Sequence, residues 1–120
     1  MKLVIAYIKP EVFLDVKRAL LAADITRFSV TNAVGAGAEK GLHENYRGAD
    51  VEIDLLKKVR IEIALNDAFV EPTIDVICKH AKTAYADQTG DHGDGKIFIL
   101  PLEQCVRIRT GERDGNAIGD

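Results

Sequence analysis

Lys58-Val59-Arg60-Ile61-Glu62-Ile63-Ala64-Leu65 alternates branched apolar residues with charged or small ones at every step. Successive side chains of a strand point to opposite faces, so this stretch predicts a strand with one face in a core and one face open. Asn66-Asp67 follows it as a turn or N-cap. Phe69, Val70, Ile74, Ile77, Cys78 and Ala81 then recur at helical spacing, with Pro72 tolerable in the first turn, which predicts a helix to about Lys82. Further on, 96–100 reads as a strand and 105–109 as a short one. Towards the N-terminus, 28–34 alternates and is rich in β-branched residues, as a strand requires. Before it, Val12, Phe13, Val16, Ala19, Leu20 and Ala23 mark an amphipathic helix from Glu11 to near Asp24. Leu3 to Ile8 is an apolar run closed by Lys9-Pro10, which fits a strand buried on both faces. The order β-α-β-β-α-β plus a C-terminal extension is an α+β, ferredoxin-like pattern.

At 120 residues the chain is expected to form one domain over 1–120. Its 47% hydrophobic and 29% charged residues are those of a globular protein, not of a disordered or collagen-like one. Sixteen basic against nineteen acidic residues give a net charge of −3. No overall basic field exists for duplex nucleic acid or an anionic membrane, so neither is an expected ligand. Cys78 and Cys105 form no C-x-x-C pair, which removes zinc ribbons, thioredoxin-type motifs and disulfide scaffolds. The apolar run 3–8 is shorter than a signal-peptide core, and a cytoplasmic location is expected.

Two connections are long for a domain of this size: 35–57, which holds Gly35, Gly37, Gly41 and Gly48, and 83–95. Such loops are commonly functional. Gly90-Asp91-His92-Gly93-Asp94-Gly95-Lys96 satisfies G-x-x-x-x-G-K, but Ile97 takes the Ser/Thr position and the motif leads into a strand, so it is no P-loop. Glycines that expose backbone N–H groups beside the Lys96 charge still suit a phosphate. The plain alternative is a glycine turn with a solvated lysine. Arg107 and Arg109 flank Ile108; on a strand both guanidinium forks share one face while Ile108 enters the core. The alternative is surface pairing with Glu103 or Glu112. His43, Glu44, Asp91, His92 and Asp94 have no recognised metal-ligand spacing, and Ser29, Cys78 and Cys105 lie in no nucleophile motif.

Ile8-Lys9-Pro10, the loop from Gly35 through Lys40-Gly41 to Glu44-Asn45-Tyr46-Arg47-Gly48-Ala49, the strand Lys58 to Ile63, Gly93-Asp94-Gly95-Lys96-Ile97-Phe98, and Val106-Arg107-Ile108-Arg109-Thr110-Gly111-Glu112 occur in one order across nearly the whole chain. In this combination the sequence resembles the PII signal-transduction proteins, the GlnB/GlnK family. The resemblance implies a homotrimer of ferredoxin-like subunits, non-enzymatic and without a resident cofactor, that binds ATP or ADP in clefts between neighbours. Its T-loop, about 37–55 here, would dock on a membrane transporter or a regulatory enzyme, bringing the protein to the inner membrane when the target is a transporter. The signal would be energy status, with nitrogen and carbon status added.

By position, the resemblance assigns Gly93, Asp94, Gly95, Lys96, Arg107 and Arg109 to the phosphates and Glu62 to the base or ribose. Ile8, Ser29, Ala64 and the loop-base glycines Gly35 and Gly37 complete the nucleotide set, Ser29 standing where the family usually has Thr. Glu39, Gly41 and Lys58 fall at the 2-oxoglutarate positions, and Glu39 replaces the glutamine that ligates the Mg²⁺ on ATP. Ala38 replaces the neighbouring arginine. Glu44, Tyr46, Arg47 and Val51 fall on the docking loop, where Val51 replaces the uridylylated tyrosine and Ala49 the phosphorylated serine of other members. Thr83 to Gln88 reads as an insertion before the glycine turn. Two rival functions remain on the residues: a metal-binding trimer of the same fold using His43 and His92, and a metal-dependent nucleotide hydrolase using Asp91, His92 or Asp94.

Overall fold

A computed structural model describes residues 1–36, 55–83 and 90–119. β1 (Lys2–Ile8) runs between two partners, antiparallel to both β3 (Leu55–Leu65) and β4 (Gly95–Pro101), and β2 (Ser29–Ala36) pairs with the outer edge of β3. The sheet order is β2-β3-β1-β4. α1 (Phe13–Ala22) follows β1 through a 3-10 turn at Pro10–Val12, and α2 (Val70–Ala81) follows β3 through a second such turn at Asp67–Phe69. Pro10 lies at the start of its turn, where a missing N–H costs nothing, and the helix predicted from Glu11 begins as that 3-10 turn.

One face of the sheet and the two helices enclose the core. Val4, Ala6 and Ile8 of β1 and Val59, Ile61, Ile63 and Leu65 of β3 are buried against Val16 and Leu20 of α1 and Val70, Ile77 and Ala81 of α2. The alternation read at 58–65 is the physical alternation of β3. Thr73 is fully buried on α2, and its hydroxyl donates to the Phe69 carbonyl at 2.7 Å, which removes the cost of an unpaired polar group.

Three expectations change. β1 is buried on one face only: Leu3, Ile5 and Tyr7 on the other remain half-exposed, because no layer among the described residues covers that side. Asn66 and Asp67 supply the expected turn, without a side-chain cap. Asp67 instead accepts from the N-terminal ammonium at 2.9 Å, which holds its carboxyl below the usual range, and Asn66 Nδ2 donates to the Gly115 carbonyl at 3.2 Å. The strand expected over 105–109 is a single bridge between Val106 and Arg113, with a turn at 108–110. Its backbone satisfies itself locally, Arg107 N–H to Glu112 O at 2.9 Å and Gly111 N–H to Arg107 O at 2.7 Å. Ile108, expected in the core, is fully exposed. The chain then forms one helical turn, α3 (Gly115–Ile118).

Candidate functional site

β4 begins at Gly95, which pairs with Ile8 at the end of β1. Gly95 has φ of +117°, and a Cβ there would sit 1.7 Å from the Tyr7 carbonyl oxygen, so no other residue fits. The turn before it is closed by the Asp94 N–H on the Asp91 carbonyl at 3.1 Å. Lys58 Nζ, rising from β3 on the open face of the sheet, donates to the Gly93 carbonyl at 2.8 Å. A cleft of about 460 Å³ results, lined among others by Tyr7, Gly35, Lys58, His92, Gly93 and Lys96. Tyr7 and Phe98 meet edge to face in it, with ring centroids 6.2 Å apart. The Lys96 ammonium has no ion-pair or hydrogen-bond partner among the described residues. A positive charge without a counter-ion, set beside a glycine turn in a concave site, is suited to an anion.

The other side of the turn is organised by carboxylates. Asp94 Oδ2 accepts from the N–H of Asp91 at 2.8 Å and of Thr83 at 3.0 Å, and Oδ1 from the Thr83 hydroxyl at 2.8 Å. Lys9 Nζ lies 2.8 Å from Asp91 Oδ2 and 3.5 Å from Asp94 Oδ1. The Lys9 hydrogen bond lowers the Asp91 carboxyl below its ordinary range. Burial by itself would raise Asp94, but its hydrogen bonds and the Lys9 charge bring it below the ordinary range as well.

The residues assigned to one nucleotide fall at two ends of the sheet. Ile8, Gly35, Gly93, Gly95 and Lys96 gather at the cleft end, with Lys58. Glu62 lies further along β3 on the open face, paired with Arg60 at 2.7 Å and opposite Ser29 of β2. Ala64 lines a smaller hollow with Asp24, Arg27, Asn66, Ile118 and Gly119. From Lys58 to Ala64 along β3 is about 20 Å at the usual strand rise. Arg107 belongs to that far end: it donates to Glu112 Oε1 at 2.8 Å and to the carbonyls of Asn116 and Ala117 at 3.0 and 3.3 Å. Arg109, on the exposed turn, has no partner among the described residues. The pairing with Glu112 is thus realised for Arg107 alone.

Gly37, Glu39, Gly41, Glu44, Tyr46, Arg47 and Val51, and the inserted residues after Thr83, lie outside the described residues. Sequence reasoning missed Tyr7 and Phe98 as walls of the cleft and Lys9 and Thr83 as supports of its turn. Lys9 and Asp91 are 82 positions apart, and no local spacing signals their contact. Among the described residues no three His, Cys, Asp or Glu side chains are grouped to hold a metal ion, and no helix is long and apolar enough to cross a membrane.

The fold is an α+β sheet-and-helix layer with a glycine turn at the base of a long strand connection, and Asp94 of that turn is already committed to internal donors. The comparisons give the family. The model of "Nitrogen regulatory protein P-II" matches residues 1–112, and the chain belongs to that family. It is 48% identical over 118 residues to nitrogen regulatory protein GlnK1 of Methanosarcina mazei, covering 98% of this chain and 97% of the relative. Nitrogen regulatory protein P-II 2 of Methanothermobacter thermautotrophicus is 47% identical over the same shares. Nitrogen regulatory protein P-II of Azospirillum brasilense is 47% identical over 98% of this chain and all of its own. Members of this family are regulatory signal-transduction proteins, not enzymes, and the chain has a PII-like regulatory role.

Proposed function

We propose that this protein is a cytoplasmic homotrimeric sensor of adenine nucleotides that reports energy status, and with it nitrogen status, to a transporter or regulatory enzyme. The whole chain acts as one domain, and 37–55 is the docking loop. ATP or ADP lies between neighbours, its phosphates against Gly93, Gly95 and Lys96 of one chain and against Arg107 and Arg109 of the next, with Ser29, Glu62 and Ala64 of that second chain towards the base and ribose. The observation that carries this reading is the separation of the two residue sets. Lys96 stands level with Arg60 across β1, and the arginine end of the sheet lies at and beyond Ala64, four residues or about 14 Å further along the strands, which is long for one polyphosphate, while a second copy can supply the missing half. The half-exposed sheet face with Leu3, Ile5, Phe98 and Leu100 is the surface that a second copy would cover.

The loop positions suggest how the signal differs from that of other members. Glu39 brings a full negative charge towards ATP and an incoming dicarboxylate, where a glutamine would bring none. Mg²⁺ accepts a carboxylate readily, so Mg-ATP is retained while 2-oxoglutarate is disfavoured. Calorimetry with ATP and ADP, beside light scattering for mass, tests the reading: binding at one nucleotide per chain to a three-chain particle is expected, with loss in Lys96→Ala. A monomer, or a trimer indifferent to both nucleotides, would overturn it.

A further inference from the structure

Asp94 stands between two glycines that line the cleft, yet its own side chain belongs to another hollow. Gly93, Gly95 and Lys96 border the cleft, and Gly95 and Lys96 reach the groove between α2 and β4 as well, whereas Asp94 and Asp91 border that groove and not the cleft, beside Ile77 and Cys78. There the carboxylate collects two backbone N–H groups and one hydroxyl, and it shares Lys9 with Asp91. The side chains of Lys9 and Asp94 are only 14% and 17% exposed. Two opposite charges this well covered persist because they compensate one another, while Asp91 meets Lys9 from the more exposed side. A carboxylate aimed at a polyphosphate would instead repel it.

We propose that Asp94 is a positioning residue rather than a phosphate contact: with Thr83, Asp91 and Lys9 it forms a latch that sets the glycine turn in its anion-binding shape before the nucleotide arrives. This rests on the nucleotide reading of the cleft. The latch works from the helix side, and Lys58 pins Gly93 from the sheet side. Asp94 also ties Thr83 to the turn across eleven positions. The chain entering and the chain leaving 84–89 are thereby fixed to one carboxylate, so the length of that segment is decoupled from the placement of Lys96. Lys9 lies between the two aspartates, reduces their mutual repulsion and cuts their joint charge from −2 to −1.

Asp94→Asn separates the two roles, because it removes the charge while keeping the size. Its amide can accept at only one oxygen, so the three donors now met by two carboxylate oxygens cannot all be satisfied. If Asp94 faced phosphate, removing its charge would tighten ATP; if it positions the turn, ATP binding weakens. In the full-length, nucleotide-free protein, hydrogen exchange at the Thr83 and Asp91 amides should accelerate about tenfold in Asp94→Asn. Calorimetry should find ATP bound about tenfold more weakly. Unchanged exchange would overturn the latch, and accelerated exchange with equal or tighter ATP binding would overturn its positioning role. Should Asp94→Asn fail to fold, Thr83 decides: Thr83→Ser keeps the hydroxyl and should match the unaltered protein, whereas Thr83→Val should exchange faster and bind ATP about threefold more weakly. Equal behaviour of the two Thr83 variants would overturn the proposal. If the unaltered protein binds no ATP, the nucleotide reading fails, while exchange in the same variants still shows whether the latch exists.

Discussion

A nucleotide that recruits Arg107 must take it from its own chain. The guanidinium is held by Glu112 at 2.8 Å and by two carbonyls of the last helical turn, while Arg109 two residues on is held by nothing among the described residues. A charge-assisted contact to phosphate is worth about 1.5–3 kcal/mol. For Arg109 that whole amount is at stake. For Arg107 the lost pair must be subtracted, and with side chains 25% and 43% exposed the Arg107–Glu112 pair is worth about 0.5–1 kcal/mol. Arg109→Ala should therefore weaken ATP by about 1.5–3 kcal/mol and Arg107→Ala by about 1–2 kcal/mol. Glu112→Gln, which releases the guanidinium, should tighten ATP by about 0.5 kcal/mol, or about twofold. Titration calorimetry on the four proteins of the Arg107/Glu112 double-mutant cycle gives the coupling directly: the benefit of Glu112→Gln should vanish once Arg107 is Ala. Weaker ATP binding by Glu112→Gln would refute the reasoning, since Glu112 would then be orienting Arg107 for the ligand rather than competing with it.

Gly95→Ala should cost at least about 3 kcal/mol in chemical denaturation, because its Cβ collides with the Tyr7 backbone and φ is positive; a cost below 1 kcal/mol, or about a third of that, would contradict the geometry. The Asp91 and Asp94 carboxyls are lowered in the folded protein, so their contribution is fully present above the unfolded value near pH 4 and is lost as pH falls through the folded values below it. Protection of the Thr83 amide, measured by hydrogen exchange corrected for intrinsic rate, should accordingly hold from pH 7 to about 4 and fall in stronger acid. A uridylyltransferase that labels tyrosine in other members should leave this chain unlabelled, since Val51 has no hydroxyl; mass spectrometry finding a uridylyl group on Tyr46 would contradict that. 2-oxoglutarate titrated into the Mg-ATP complex should bind weakly, and Glu39→Gln should strengthen it if the extra charge is the cause.

The sheet and helices were legible because each rests on a local period that burial enforces: one residue of β3 in two, and one face of α1 and α2. The same period misleads at 105–109. Val106-Arg107-Ile108-Arg109 alternates as well as any strand, but it joins neither edge strand of the sheet, and a tight turn closed by Gly111 satisfies its backbone instead. Alternation reports a two-sided environment, and none of the described residues covers Ile108. At the candidate site the glycines and Lys96 announce themselves through backbone requirements written in the residues themselves. Lys9, Thr83 and Tyr7 do not, because a lysine before a proline, a threonine after a helix and a tyrosine in a strand are ordinary until the fold brings them to the turn.

The open sheet face and the divided site follow from one cause. A four-stranded antiparallel sheet with both helices on one side leaves its other side to be covered, and β3 carries Lys58, Arg60, Glu62 and Ala64 along that side. These residues occur at every second position, so polar groups assigned to the ligand share a surface with apolar Leu3, Ile5 and Phe98, which gain by burial. Covering the apolar part with a second copy brings a second set of polar ends to the rim, and a ligand placed there would touch both chains. Ligand free energy would then favour the assembled form over separate chains. On this reading assembly and sensing are not separate properties of the fold, because the surface that needs a partner also carries half of the nucleotide set.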